Sequence, residues 1–304
     1  MDLLFIATLL GATLRISTPI LFAALGETIV ERAGVLHLGI EGTMLLAAFG
    51  GFVAAQLSGS LYVGLLAAVL VGMALGLLMG LLTVTLGLNQ HVSGLGVTLL
   101  ATALALFAFR LIYGGATIPP ALDTSFPQLL LFVDTPLEPI FSQYVFTYIA
   151  LLLVPLLAWW LNRTTFGLRL RAVGENPEAA DMAGVNVYFT RYVALIIGGA
   201  LMGLGGAFLS LAQLGAFTHG IINGRGWVAI AIVIFGNWQP YKVLSGALLF
   251  GGIQALQLRL QAEGVQLPYE MLLALPYVVT IVALAIAGRN ASYPAALLKP
   301  YRRE

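Results

Sequence analysis

His37 and Glu41, in the stretch VLHLGIEG, are the first residues whose types and spacing could do chemistry. Four positions apart, they would share one helix face, an imidazole beside a carboxyl. Such a pair either locks two helices near a membrane surface or lines a pathway. Asn89, Gln90 and His91 come next, in LNQHVSG, at the start of an apolar run. Amide side chains offer donors and acceptors together, which suits uncharged ligands that carry hydroxyls or a nucleobase. In a broken helix they would face a cavity; otherwise they sit in a loop that touches water. Gln254 and Gln257 share a face later on, with Arg259 beyond them. They line a vestibule or act as polar glue between helices. Glu41, Asn89, Gln90, His91 and Gln254 are therefore the candidate pathway residues.

The densest charge lies elsewhere. GLRLRAVGENPEAADMAGV, residues 167–185, holds Arg169, Arg171, Glu175, Glu178 and Asp181, in a chain that is only 9% charged. Part of it has the grammar of a very short helix. Asn176 can cap it, and Pro177 suits the first position, where no N–H is needed. Glu178 and Asp181 lie near its positive end. Gly184 fits the left-handed residue that closes a helix. The predicted helix, residues 177–183, is about 10 Å long and too short to stand alone. Ala179, Ala180 and Ala183 give it a small face, with Met182 as one adaptable apolar side chain. That face suits insertion into a cleft of a soluble partner. The other reading is a solvated loop whose arginines follow the positive-inside rule.

These residues must be positioned by membrane-spanning elements. The chain has 304 residues, is 60% apolar and carries a net charge of +1, with mean hydropathy +0.98. Soluble domains carry about 25% charged residues. Long Leu/Ala/Gly/Val blocks predict helical spans at 3–25, 35–57, 60–86, 93–113, 143–161, 192–214, 242–260 and 267–287. Trp227 to Phe235 is apolar but reaches only about 14 Å of a roughly 30 Å core, so it reads as half a broken helix or a re-entrant piece. Trp227 and Trp238 bracket it as interfacial anchors would. The N-terminus lacks a basic region and reads as a first span that stays. Gly72, Gly76 and Gly80 are four apart, as are Gly199 and Gly203. That spacing lets helices approach closely, within one subunit or between two.

Charge sets the orientation. The loop 114–141 holds Asp123, Asp134 and Glu138 and no Lys or Arg, and is expected outside. The loop 162–191, with Arg163, Arg169, Arg171 and Arg191, is expected in the cytoplasm. So is the tail from 288, with Arg289, Lys299, Arg302 and Arg303. The three agree if 227–235 counts as a crossing, which puts the N-terminus outside. Catalytic patterns are missing. With Lys242 and Lys299 as the only lysines there is no phosphate-cradling G-x-x-x-x-G-K-[ST], and neither H-E-x-x-H nor G-x-S-x-G occurs. The chain has no cysteine, and His37, His91 and His219 are far apart. No metal, cofactor or nucleic acid is expected.

Four blocks carry a resemblance. GLRLRAVGENPEAADMAGVNV resembles the coupling segment of permease subunits of bacterial ABC importers, the group serving branched-chain amino acids, simple sugars and nucleosides. GETIVERAGVLHLGIEGTMLLAAF (26–49) resembles that family's early signature. LNQHVSGLGVTLL (88–100) resembles the stretch that the nucleoside branch writes Asn-Glu-Val-Ile-Ser-Gly. GRGWVAIAIVIFGNWQP (224–240) resembles its late Gly-Trp and Gly-x-Trp-x-Pro region. The blocks run in order over roughly residues 15–290. Gln90 departs from the nucleoside branch, which commonly has Glu there.

The resemblance implies an all-α polytopic membrane protein of about eight to ten transmembrane helices, broken or re-entrant pieces included, in the ABC importer permease fold. It implies one permease domain, 1–304, in the bacterial inner membrane, that binds no ATP itself. Partners would be a cytoplasmic ATP-binding subunit, a second permease subunit (the same or different) and an extracytoplasmic substrate-binding protein. Arg171, Gly174, Glu175, Asn176, Pro177, Glu178, Ala179, Ala180, Asp181, Met182 and Gly184 would couple to the ATPase. The cargo would be nucleosides or simple sugars, ahead of branched-chain amino acids. An ion-coupled secondary transporter is the rival, with Glu41 as its one plausible acid.

Overall fold

The computed structural model describes residues 3–114, 121–263, 269–287 and 292–302. Arg289 and Arg303 of the basic tail lie outside them. The first helix, α1 (Leu3–Arg32), has 30 residues and is about 45 Å long. The link after it turns back instead of leaving: His37 N donates to Glu27 Oε1 at 2.8 Å. As a result α2 (Ile40–Ser58) starts beside the last turns of α1. Gly59, at φ +66°, turns the chain into α3 (Leu61–Gly80), which continues as a π-helical turn through Thr85. Asn89 caps α4 (Gln90–Tyr113).

Across the acidic loop, β1 (Gln128–Leu129) pairs antiparallel with β2 (Gln143–Tyr144), and α5 (Glu138–Phe141) lies between them. Then come α6 (Val145–Arg163), α7 (Thr165–Glu175), α8 (Pro177–Met182) and α9 (Val187–Ala207), which ends in a π-helical stretch to Gln213. The last helices are α10 (Arg225–Phe235), α11 (Pro240–Ala262) and α12 (Tyr269–Ala287).

Among the described residues, α1, α2, α3, α4, α6, α9 and α11 are long and apolar enough to cross a membrane. α12 occupies the eighth expected span. α10 has 11 residues, too few to cross alone. The stretch before it supplies the rest. Leu122 N donates to Gly215 O (2.8 Å) at the acidic end, whereas Arg32 Nε donates to Trp238 O (3.2 Å) at the other. Residues 214–235 therefore run from one end to the other as an irregular stretch of bends and turns followed by a half-helix.

α9 is the most buried of the long spans. Its seam with α3 explains the glycine spacing. A Cβ on Gly72 would lie 2.1 Å from Gly199 O, and one on Gly76 would lie 2.2 Å from Leu195 O. Only glycine permits that approach, and the seam lies within the chain. α4 has the opposite character. Its Leu99, Phe107 and Leu111 are exposed, as lipid-facing side chains are.

The ends differ in charge. Arg32, Arg163, Arg169, Arg171, Arg191 and Lys242 gather at the end that bears α7 and α8. Asp123, Asp134, Glu138 and Glu263 lie at the opposite end, where Arg259 pairs with Glu263 at 3.3 Å. Arg191 is not a loop residue as its charge suggested. It is in α9 and buried, with Nε donating to Ala33 O at 3.2 Å.

Candidate functional site

At the basic end, Asn176 Oδ1 accepts from Ala179 N (3.0 Å) and starts α8. Val185 N donates to Ala180 O (2.9 Å) and Gly184 N to Asp181 O (2.8 Å), with Gly184 at φ +83°. These two bonds form a Schellman closure, which needs a left-handed residue there. Ala180 is buried against Val173, Val187 and Tyr301. Glu178, Ala179, Met182 and Ala183 point away from the protein, and Met182 is 85% exposed. An alanine-lined face with a free methionine is thus held rigid at both helix ends.

The helix before it was not predicted. Thr164 Oγ1 accepts from Gly167 N (3.1 Å), and Gly167, Leu170 and Val173 bury one face of α7. That cap and spacing were readable in the sequence but were masked by the arginines between them. Gly174 brings α7 onto the end of α1; a Cβ there would lie 2.1 Å from Arg32 O. Glu175 and Asn176 are exposed and Arg171 is half-buried.

The tail packs on the same surface. Ala296 N donates to Gly174 O (2.9 Å) and Ala295 N to Glu175 Oε2 (3.3 Å). The Tyr301 ring lies 5.8 Å from that of Tyr188, and Ser292 N donates to Asn237 Oδ1 (2.9 Å). The tail so joins α7 to the α10–α11 turn. Nothing in its composition announced this.

His37 and Glu41 do not pair, because the Glu41 carboxyl is taken by backbone amides far along the chain. Glu41 Oε1 accepts from Gly224 N and Oε2 from Gly226 N, both at 2.8 Å. The carboxyl caps the positive end of α10, and the Arg225 guanidinium adds attraction. Gly226 makes this possible, since a Cβ there would lie 2.7 Å from Glu41 Cα. His37 is buried, and neither ring nitrogen has a hydrogen-bond partner among the described residues. Burial pushes its pKa down to about 4, so its ring is neutral.

The other end of α10 is held as firmly. Asn237 and Trp238 take positive φ, +49° and +54°. Trp238 is not an interfacial anchor. It is 2% exposed, and its indole N–H donates to Glu31 Oε2 at 2.5 Å. Glu31 interacts in turn with Glu27, one turn earlier. Sequence reasoning missed Glu27 and Glu31; two carboxyls four apart in an apolar helix were the available signal.

The remaining candidates are scattered. Asn89 Oδ1 accepts from His91 N (3.0 Å) and Val92 N (3.2 Å), as a helix cap. Gln90 is buried, and its Oε1 accepts from Leu36 N (2.8 Å), pinning the α1–α2 link. His91 is exposed. Gln254 is half-buried on α11, and its Oε1 has no hydrogen-bond partner among the described residues. Gln257, three residues on, is buried.

The site is thus a membrane helix bundle with a short, capped helix exposed at its basic end and an 11-residue helix held at both ends. Its fold is similar to that of an inward-facing ABC transporter assigned to the metal-chelate type, over 92% of this chain and 85% of the other (TM-score 0.54, 18% identity). The sequence narrows the class. Residues 9–284 match the family described as branched-chain amino acid transport system / permease component, and the chain belongs to it. TsgC13 of Haloferax volcanii, an ABC transporter permease named for glucose, is 40% identical over 99% of both chains. The guanosine ABC transporter permease NupQ of Bacillus subtilis is 36% identical, over 99% of this chain and 98% of its own. A second guanosine permease of that organism, NupP, is 28% identical, over 92% and 81%. The protein is a multi-pass membrane component of a transport system.

Proposed function

We propose that this chain is the permease of an ATP-driven importer of nucleosides or simple sugars, working as one domain over residues 1–304. The observation that carries the reading is α8, capped at both ends and presenting Ala179 and Met182 outward. A separate ATP-binding subunit grips this face, so the permease itself needs no cofactor. Motion passes from α8 through α7 to the end of α1, where Gly174 rests on Arg32. From there Glu31 and Trp238 carry it to α10, and Glu41 carries it to α2. The basic end, with α7, α8 and the tail, faces the cytoplasm, and an extracytoplasmic binding protein delivers cargo at the acidic end.

Glu41 bears on the cargo. Half-helix N-termini in transporters commonly hold an anionic substrate group. Here the chain's own carboxylate takes both amides, which leaves no such place for an amino acid's carboxylate. A neutral ring with hydroxyls fits better, in line with relatives named for guanosine and glucose. Asn89 and Gln90 add no support for cargo contact, since both serve the backbone. NupQ and NupP share one description and one organism, and this chain is nearer to NupQ. A second, different permease therefore completes the pathway.

The test is uptake of labelled guanosine, glucose and leucine by cells with and without the gene, with the tagged chain then recovered in mild detergent. Uptake of guanosine or glucose that survives collapse of the proton gradient, with an ATPase co-purifying, supports the reading. Loss of uptake on that collapse, with ATP held constant, or leucine as the one cargo, would overturn it.

A further inference from the structure

A cavity of about 290 Å³ opens at the basic end between α1, α6, α7 and the start of α11. Arg32 and Arg171 both line it, with Asn162, Trp238 and Tyr241, and no carboxylate is among its lining residues. Arg32 feels the attraction of Glu175 and, more weakly, the repulsion of the Arg171 guanidinium. Arg32 is anchored by the bond from its Nε to Trp238 O (3.2 Å). Arg171 Nε is buried and has no hydrogen-bond partner among the described residues. The nearby acid, Glu175, lies outside the lining and accepts from Ala295 N.

Two like charges facing one cavity, one with an unmet donor, call for an anion. Arginine forks match phosphate oxygens in geometry, and Asn162 and Tyr241 can add neutral donors. The cavity's depth points to the source. Trp159, beside the lining residue Ala158, is 57% exposed, and Tyr241 is 59% exposed. Exposed Trp and Tyr at helix ends mark headgroup level, and basic pockets between helices on the cytoplasmic side take anionic lipid headgroups. We infer that this cavity binds a phosphate-bearing anion, supplied by the headgroup of an anionic phospholipid, at the joint between α7 and α1. The inference is independent of which cargo is carried.

The full-length chain, purified in mild detergent and stripped of lipid, is titrated with short-chain phosphatidylglycerol, short-chain diacylglycerol and inorganic phosphate, and read by native mass spectrometry. Binding of phosphatidylglycerol and not diacylglycerol is expected, weakened about tenfold or more in Arg171→Gln, the size of one lost charge-assisted bond. Arg171→Lys should recover part of it. Because Arg171 Nε makes no hydrogen bond among the described residues, the melting temperature of both variants should match the parent's, which separates lost binding from lost folding. If inorganic phosphate binds with the same dependence on Arg171 and the lipid does not, the anion site stands and a free anion fills it. Equal binding of diacylglycerol, or binding of neither phosphate compound in an Arg171-dependent way, would overturn the inference.

Discussion

The seam between α3 and α9 and the junction around α10 are both buried, yet they are held by different forces. At the seam, backbones meet at Gly72, Gly76 and Gly199, and shape alone fixes the fit. At the junction, α10 packs Val228, Ala229, Ile232 and Val233 into the core, and directional bonds fix its ends, Glu41 at one and Trp238–Glu31 at the other. Close-packed surfaces deform poorly. A short element on a few directional bonds can tilt and re-form them. The seam is suited to be a fixed wall, and α10 to be the part that moves.

Substitutions can break or sharpen that contrast. The largest loss of stability should come from Gly72→Leu, whose side chain meets backbone: more than about 3 kcal/mol, read as failure to recover monodisperse protein. Gly96→Ala, where a Cβ meets open space, should be silent. A tolerated Gly72→Leu would mean that the seam is loose. Glu41→Ala comes next. It leaves two part-buried N–H groups unpaired, at up to about 1–3 kcal/mol each. Glu41→Gln keeps one acceptor and should fall between, with uptake reduced more than melting temperature. If uptake and stability fell in step, α10 would be one more wall.

His37 gives a smaller, pH-dependent effect. Its pKa in the folded chain is about 4, below the ordinary 6.5. Between those values the unfolded chain takes up a proton that the folded chain refuses. The His37 contribution to stability is therefore full above pH 6.5 and falls as pH drops toward 4. The melting temperature of His37→Leu should lose that slope between pH 6.5 and 5; an unchanged slope would place the titration elsewhere. The smallest effect on stability should come from Ala179→Arg on the exposed face of α8, within about 0.5 kcal/mol. Its uptake should nonetheless fall to background. Normal uptake would make α8 a plain connector.

Much of the molecule was legible in the sequence. Apolar length sets the spans, because an unpaired backbone in lipid is too costly for anything but a helix or closed barrel. Glycine spacing announced the seam, since no other residue allows the approach. Asn176, Pro177 and Gly184 wrote α8 almost to the residue, because capping is local chemistry. The sites around α10 were not legible. Glu41 was picked out for its charge but matched with His37, the partner nearest in sequence. Its true partners, Gly224 and Gly226, lie more than 180 positions away, and a backbone N–H leaves no mark in a sequence. Trp238 read as an anchor because its environment, and not its type, makes it a buried donor to Glu31. The sequence by itself determined the helices, their order and their caps, each a matter of a few neighbouring residues. Only the tertiary structure decided which polar groups meet, because a buried donor takes whatever acceptor folding brings within about 3 Å.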